Sequence, residues 1–255
     1  MAILAFFVAH WSACVFFQTF YQHRYGAHRQ FTMSKRWERF FHLVTYLAQG
    51  SSFLDPRGYA ILHRMHHAYS DGPKDPHSPR NHSGLFAMMW ATKTNYERFA
   101  YRREEPEARF AKDVPEWPAL DRFSKTWMSL VLWMGVYTAF YCAFATHWWM
   151  FALLPIHFMM GPVHGSIVNW CGHRYGYRNF DSDDVSRNTL VFDFLTFGEL
   201  FQNNHHHHAM RPNFGVRWFE VDPGYLVIRA LAFARVIRLR APEASAPSLM
   251  PTTSM

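Results

Sequence analysis

Three stretches of this chain are apolar over a length that can cross a bilayer, and they alternate with segments rich in charge and histidine. Residues 2–21 read AILAFFVAHWSACVFFQTFY. About 20 such residues span a hydrocarbon core. The stretch lacks the basic start and small-residue cleavage site of a secretory leader, so a spanning helix is expected. Residues 127–146 (WMSLVLWMGVYTAFYCAFAT) form a second span. After the turn HWW, residues 150–168 (MFALLPIHFMMGPVHGSIV) form a third, which makes a helical hairpin with Trp148 and Trp149 in an interfacial aromatic belt.

Two further apolar stretches are interrupted. Residues 39–54 carry His, Thr, Gln and Ser among their aliphatic positions and are expected to lie on the membrane surface. Residues 223–239 show apolar residues at helical spacing with Arg229, Arg235 and Arg238 between them, the pattern of an amphipathic surface helix. The tail 241–255 has the composition of a disordered segment. No internal repeat is present.

Composition then changes the picture twice. The net charge of +7 invites a nucleic-acid reading, but its distribution removes it. Residues 1–21 and 127–171 contain no Lys or Arg, whereas 22–126 hold 17 and 172–255 hold 9. Basic residues confined to the segments between spans report membrane orientation and place 22–126 and 172–240 on the cytoplasmic side. Three scattered cysteines give neither a disulfide framework nor a thiolate metal site, so the 17 histidines must supply any metal ligation.

The histidines fall in four clusters: HRYGAH (His23, His28), HRMHH (His63, His66, His67), NWCGH (Asn169, His173) and QNNHH (Gln202, His205, His206). All four lie at the cytoplasmic ends of apolar segments or in the cytoplasmic loops. On a helix, i, i+3 and i+4 share a face, which is the spacing of His63, His66 and His67 and of Gln202, His205 and His206. Asn169 and His173 are i and i+4. His23 and His28 are five apart, leaving them about 140° apart on an α-helix. The helix must end or unwind between them, and Gly26 is placed for that.

A single HxxHH can be a solvated helix face; four clusters on one side of a membrane point to metal. Neutral imidazoles suit Fe, Zn, Cu or Ni. Eight histidines, with Asn169 and Gln202 as oxygen donors, exceed one coordination sphere and suit two. Glu-x-x-His, the motif of soluble di-iron bundles, is absent. Of the remaining histidines, His42, His82 and His147 read as surface or interfacial. His10, His157 and His164 lie inside predicted spans, where polar groups are functional by default. For His164, a channel-facing position and satisfied packing between helices are equally open.

These clusters resemble the histidine boxes of the membrane fatty-acyl desaturases, in the acyl-CoA (stearoyl-CoA desaturase type) branch. HRYGAH resembles the first box, and HRMHH with the downstream KDPHSP resembles the second. NWCGHRYGYRNFD resembles the segment carrying an additional Asn and His. GELFQNNHH followed by WFEVDPGYLVIR resembles the third box and its sequel. The resemblance covers about residues 23–239. It implies an all-α integral membrane protein: three transmembrane helices (four is the family norm) below a cytosolic helical cap holding a di-iron site, in one domain over 1–240. It implies His23, His28, His63, His66, His67, His173, His205 and His206 as iron ligands, with Asn169 acting through a bound water and Gln202 in a position where this branch usually has His. In this frame His207 and His208 fall outside the box; a frame that uses one of them is the alternative. The family places two spans before the first box and this chain has room for one, which implies either a late start or an extracytoplasmic N-terminus.

The implied function is O2-dependent desaturation of a long-chain acyl substrate, acyl-CoA foremost, with two iron ions as cofactor, in a bacterial inner membrane. No flavin, haem or iron–sulfur motif occurs, so electrons come from a separate ferredoxin or small b-type cytochrome with its reductase. The same clusters would suit an alkyl hydroxylase, a histidine-rich membrane metal-binding or transport protein, or a bis-histidine haem carrier. A transporter would place its ligands near the bilayer midplane, unlike these.

Overall fold

A computed structural model describes residues 1–240 of the 255; the predicted tail 241–255 lies outside them. The fold is mostly helical. The first helix, α1 (Ala2–Phe17), does not stop at its apolar end but widens into a π-helix over Gln18–Ala27. Together they make one rod of 26 residues, longer than the predicted 2–21. The chain returns through β1 (Phe31–Met33) into α2 (Lys35–Gln49), which Ser34 caps by accepting from Trp37 N. Along α2, Trp37, Phe40, Leu43 and Leu47 form an exposed apolar stripe, while Phe41, His42, Thr45, Tyr46 and Gln49 face inward.

A 3-10 turn leads to α3 (Pro56–Tyr69), started by Asp55 at its N-cap and Pro56 in its first turn. Its apolar face packs on α4 (Leu85–Ala100), around Ile61, Leu62, Phe99 and Phe110. Gly58 makes that approach possible, since a Cβ there would sit 2.7 Å from Ala100 Cβ. Two short helices, α5 (Ala108–Ala111) and α6 (Pro118–Ser124), lead to the second long apolar rod, α7 (Trp127–Phe144). Most of α7 is exposed and apolar, with Ser129, Tyr137 and Tyr141 buried.

The predicted third span is broken. A 3-10 turn (Trp148–Leu153) and α8 (Leu154–Phe158) meet α9 (Met160–Gly172) at an angle of 71° across Met159. Pro162 in the first turn of α9 lacks an N–H and cannot continue the ladder from α8. Among the described residues, two helices are therefore long and apolar enough to cross a membrane, or three if the bent pair is one span.

The last elements are α10 (Gln202–His207), α11 (Pro223–Phe233) and β2 (Ile237–Leu239). The helix expected over 223–239 stops at Phe233. Arg235 then takes a left-handed φ of 60°, and β2 pairs antiparallel with β1, Thr32 opposite Arg238. This ribbon corrects the all-α expectation; β-branched Val236 and Ile237 suit a strand better than another helical turn. Arg24 of the π-helix and Asp222, the α11 N-cap, form a fully buried ion pair at 2.8 Å that ties the N-terminal rod to the C-terminal segment.

Candidate metal centre

The π-helix solves the problem that spacing posed. Hydrogen bonds from i+5 to i bring residues five apart onto one face. The His28 N–H donates to His23 O at 3.0 Å, closing such a turn. The helix is unwound from α to π here and ends at Ala27, one residue past Gly26, as the spacing of His23 and His28 required. The Arg64 guanidinium of α3 binds the Gly26 and Ala27 carbonyls at 2.9 and 2.7 Å.

Against this wider turn, α3 presents His63, His66 and His67, and α10 presents His205 and His206. Two groups result. His23, His28, His63, His67 and His205 offer nitrogens within 4.8 Å of one another, and His66, His173 and His206 form the second group. All eight histidines singled out from spacing and resemblance are in one group or the other. His207 and His208 are in neither: His207 stacks on Phe180 at 4.0 Å between ring centroids, and His208 packs on the edge of the same ring. Asn169 and Gln202 line a cavity beside the groups. Gln202 lies so close to Gly172 that a Cβ there would meet Gln202 Cγ at 2.4 Å, and its Nε2 donates to the Glu199 carbonyl.

Behind the rings stands a row of carboxylates that the sequence reading did not assign. His23 Nδ1 lies 2.8 Å from Glu199 Oε1, His66 Nδ1 2.8 Å from Asp75, His173 Nδ1 3.0 Å from Asp71 and His206 Nδ1 2.7 Å from Asp184. Carboxylates in this position fix the tautomer and raise the basicity of metal-binding histidines. Burial alone would raise the carboxyl pKa values of Asp71, Asp75 and Asp184. The hydrogen bonds and charges of His173, His66 and His206 outweigh it and hold all three below the usual carboxylate range. Burial pushes His28, His63, His67 and His205 well below an ordinary imidazole, so all four are neutral at pH 7.

The donor chemistry fits a cation. With Nδ1–H of His66 and His206 committed to Asp75 and Asp184, each neutral ring turns a lone pair outward from Nε2. Those two Nε2 atoms face each other at 3.2 Å. His173 is held in the same way by Asp71, and its buried Nε2 has no partner. Converging lone pairs repel unless a proton or a metal ion lies among them, and three rings aimed at one point suit a metal ion. The five-histidine group repeats the motif: Nε2 of His205 faces those of His23 and His67, both at 3.0 Å.

The short α10 is held by polar contacts. Asn203 Oδ1 accepts from the Asn179 and Phe180 N–H groups, both at 2.8 Å. Asn204 is bonded to Asn188, Asn179, Phe214 and Glu220. The two asparagines in QNNHH are therefore scaffolding. Two further histidines stand out. His42 is not at the surface but buried at 2.8 Å from Asp121, as α6 folds over the polar face of α2. His77, buried with both ring nitrogens unpartnered, stacks near His66 and makes a third possible ligand group with Asp75. Inside the spans, His10 and His157 hydrogen-bond each other at 2.7 Å and also Tyr137 and Tyr141.

A cavity of about 590 Å³ adjoins the groups, within the range of small-molecule sites. His63, Glu199, Gln202 and Asn169 border it at one end; apolar side chains such as Leu62, Met88, Met159 and Val168 make most of its wall.

A mostly helical chain with membrane-length apolar rods and two histidine groups beside an apolar cavity is a membrane metalloprotein by class. It belongs to the fatty acid desaturase family, whose model matches residues 1–237. The chain is 31% identical over 213 residues to an sn-1 stearoyl-lipid 9-desaturase of Synechocystis sp., covering 82% of this chain and 62% of that relative. It is 29% identical to a hex-5-enoyl-[acyl-carrier protein] acetylenase of Moorena producens, over 82% of this chain and 67% of the relative. It is also 29% identical to an acyl-CoA 5-desaturase of Anemone leveillei, over 86% and 65%. The chain thus spans about two thirds of the length of these relatives, whose names carry three different acyl carriers.

Proposed function

We propose that this protein is an O2-dependent desaturase of long-chain fatty-acyl substrates, with two iron ions held by His23, His28, His63, His67 and His205 on one side and His66, His173 and His206 on the other. The observation that carries this reading is the gathering of eight buried or half-buried histidines into two groups beside one mostly apolar cavity. In this reading Asn169, through a water, and Gln202 complete the ligand set; both line the adjoining cavity. When bound, iron supplies the oxidising power that removing hydrogen from unactivated methylenes demands and that no side chain has.

The protein's own part is positioning. Glu199, Asp71, Asp75 and Asp184 hold four rings in one tautomer, and burial keeps the others unprotonated. The apolar wall excludes water and fixes which carbons of the chain lie nearest the histidines. Forming one double bond while O2 becomes two waters takes two electrons and two protons from outside. A separate ferredoxin or small b-type cytochrome with its reductase is the donor class. For the acyl carrier we place coenzyme A first. Lys93 and Tyr101 line the cavity, and Arg98, Arg102 and Arg103 sit on the same exposed segment. Their partners Glu104, Glu116 and Glu97 are themselves partly exposed, so these pairs are weak and a phosphate can displace them. In this reading the protein is multi-pass in a bacterial inner membrane with the histidine side on the cytoplasmic face, the orientation that its charge pattern supports.

The test is expression in a host lacking the activity, with mass-spectrometric location of new double bonds, and assays on acyl-CoA, acyl-carrier protein and phospholipid in parallel. The purified protein should hold two irons per chain. His66→Ala and His205→Ala should abolish product and lower bound iron while membrane insertion persists. A new hydroxyl in place of a double bond would convert the reading to a hydroxylase; full activity in either variant would sink it.

A further inference from the structure

Beyond the histidines of the two groups, the cavity wall holds further buried ring nitrogens without hydrogen-bond partners, at His77 and, on α9, at His164. His164 lies on α9 nine residues before His173, about 13 Å along the helix at 1.5 Å per residue. It is 2% exposed, lines the cavity, and has no hydrogen-bond partner on either ring nitrogen. On another wall Gln18, five residues before His23, is also 2% exposed and its Oε1 is unpartnered. Tyr59 also lines the cavity and is hydrogen-bonded by the Gln18 amide N–H, which leaves Oε1 free. His10 and His157 carry no such deficit, since they bond each other and two tyrosines. Gly161 and Gly165, flanking His164, keep the wall open: a Cβ on Gly165 would meet nothing nearer than Gln18 Nε2 at 3.8 Å.

Buried polar atoms left without partners are costly, and a pocket meant only for methylenes would carry apolar side chains here. The missing partner can be specified by its chemistry. A neutral imidazole offers one donor and one acceptor, and an amide oxygen accepts only. A ketone, an ether or a double bond has no proton to give Gln18 and leaves that oxygen unmet. An ammonium has no lone pair for the ring N–H. An O–H group can accept from the ring N–H and donate to Gln18 Oε1 at once, leaving only the ring's acceptor nitrogen.

We propose that His164 and Gln18 form a hydroxyl-binding subsite within the acyl cavity, in which one oxygen accepts from the His164 ring N–H and donates to Gln18 Oε1. The inference rests on the desaturase reading. The oxygen has two possible sources: a hydroxyl carried on the acyl chain beyond the reacting carbons, or a water held where an unsubstituted chain has to stop. Either way these residues set which chains are accepted.

The experiment feeds a host expressing the protein with a ladder of unsubstituted fatty acids and their hydroxylated counterparts. Products and bound iron are measured for wild type, His164→Leu, His164→Gln and Gln18→Leu. A wild-type preference of tenfold or more for a hydroxylated chain, erased by His164→Leu and by Gln18→Leu, establishes the chain hydroxyl. A sharp length limit on unsubstituted chains, moved to longer chains by the same variants, establishes the water. His164→Gln keeps a hydrogen-bonding head and should preserve the wild-type pattern in part. If His164→Leu does not accumulate, Gln18→Leu and His164→Gln carry the comparison alone. Variants with wild-type iron and an unchanged product profile on both series overturn the subsite and leave the desaturase standing. A wild type that makes no double bond in any chain overturns both.

Discussion

Glu199→Gln removes one buried negative charge at nearly constant volume. In the wild type the carboxylate oxygens lie 2.8 and 2.7 Å from His23 Nδ1, and Thr19 donates a further hydrogen bond. Burial by itself raises the Glu199 pKa; the charge and hydrogen bond of His23, with Arg24 and Thr19, more than reverse this and bring it to about 2. Against an ordinary carboxyl, a displacement of that size corresponds to roughly 3 kcal/mol of preference for the charged form. Loss of an outer carboxylate typically costs about 10- to 100-fold in metal affinity, or roughly 1.4–2.7 kcal/mol, the same order. The five-histidine group has no other carboxylate partner among the hydrogen bonds found, whereas the three-histidine group keeps Asp71, Asp75 and Asp184. The variant should therefore lose one metal equivalent at a chelator concentration ten- to a hundredfold below the wild-type midpoint, and keep the other. Equilibrium dialysis against graded chelator, with elemental analysis of metal per chain, reads this directly. If both ions persist to the wild-type midpoint, or both leave together, the assignment of Glu199 to one group alone is wrong.

Three more outcomes are expected. His206→Ala should cost one metal equivalent, while His208→Ala, whose ring rests on Phe180 outside both groups, should retain both by the same elemental analysis. Asp222→Ala strands the buried Arg24 guanidinium and removes the α11 cap, so thermal unfolding in detergent should show a loss of about 3–5 kcal/mol; a loss under about 1 would mean that Arg24 finds another partner. After metal is stripped, stability should fall as pH drops below about 6.5. There the unfolded chain takes up protons that buried His28, His63, His67 and His205 refuse, at about 1.4 kcal/mol per pH unit for each histidine. A melting temperature that is flat between pH 7 and 5 would contradict this.

What was legible in the sequence was whatever periodicity encodes. The i, i+3, i+4 spacing of His63, His66 and His67 survives intact because α3 is a regular helix with a cap at Asp55. His23 and His28 defeated the same arithmetic because their helix is not α, and nothing in HRYGAH announces a π-helix; only the need for both rings at one site hinted at an irregularity. The outer carboxylates were illegible for a different reason. Asp71 and Asp75 lie in the turn after α3, and Asp184 lies in an irregular loop, where no period constrains side-chain direction. Asp71 even takes a left-handed φ of 58° to reach His173, 102 residues away in sequence. KDPHSP did point to the Asp75 region, but through resemblance. His42 was misplaced because an amphipathic helix shows which face is polar without showing that α6 and Asp121 will cover it. The ribbon of β1 and β2 was missed because three residues per strand carry too little alternation to compete with the apolar spacing of α11.

Charge explains why the carboxylates stand where they do. In the proposed two-metal site, histidine ligation alone would leave two divalent ions with a formal +4 in a buried site, and burial of uncompensated charge is prohibitive. Glu199, Asp71, Asp75 and Asp184 supply −4 without occupying a coordination position themselves. They are distributed unevenly, one behind the five-histidine group and three behind the other. With two divalent ions bound, the first group would carry about +1 and the second about −1, so balance is reached across the pair and not within either half. The halves also touch, since His66 and His67 are chain neighbours and His67 packs on His206 at 4.5 Å between ring centroids. Opposite residual charges at such range attract strongly in a low-dielectric interior. The two groups are thus one electrostatic unit only through their carboxylates: the four negative charges offset the mutual repulsion that two dications at this range would otherwise feel.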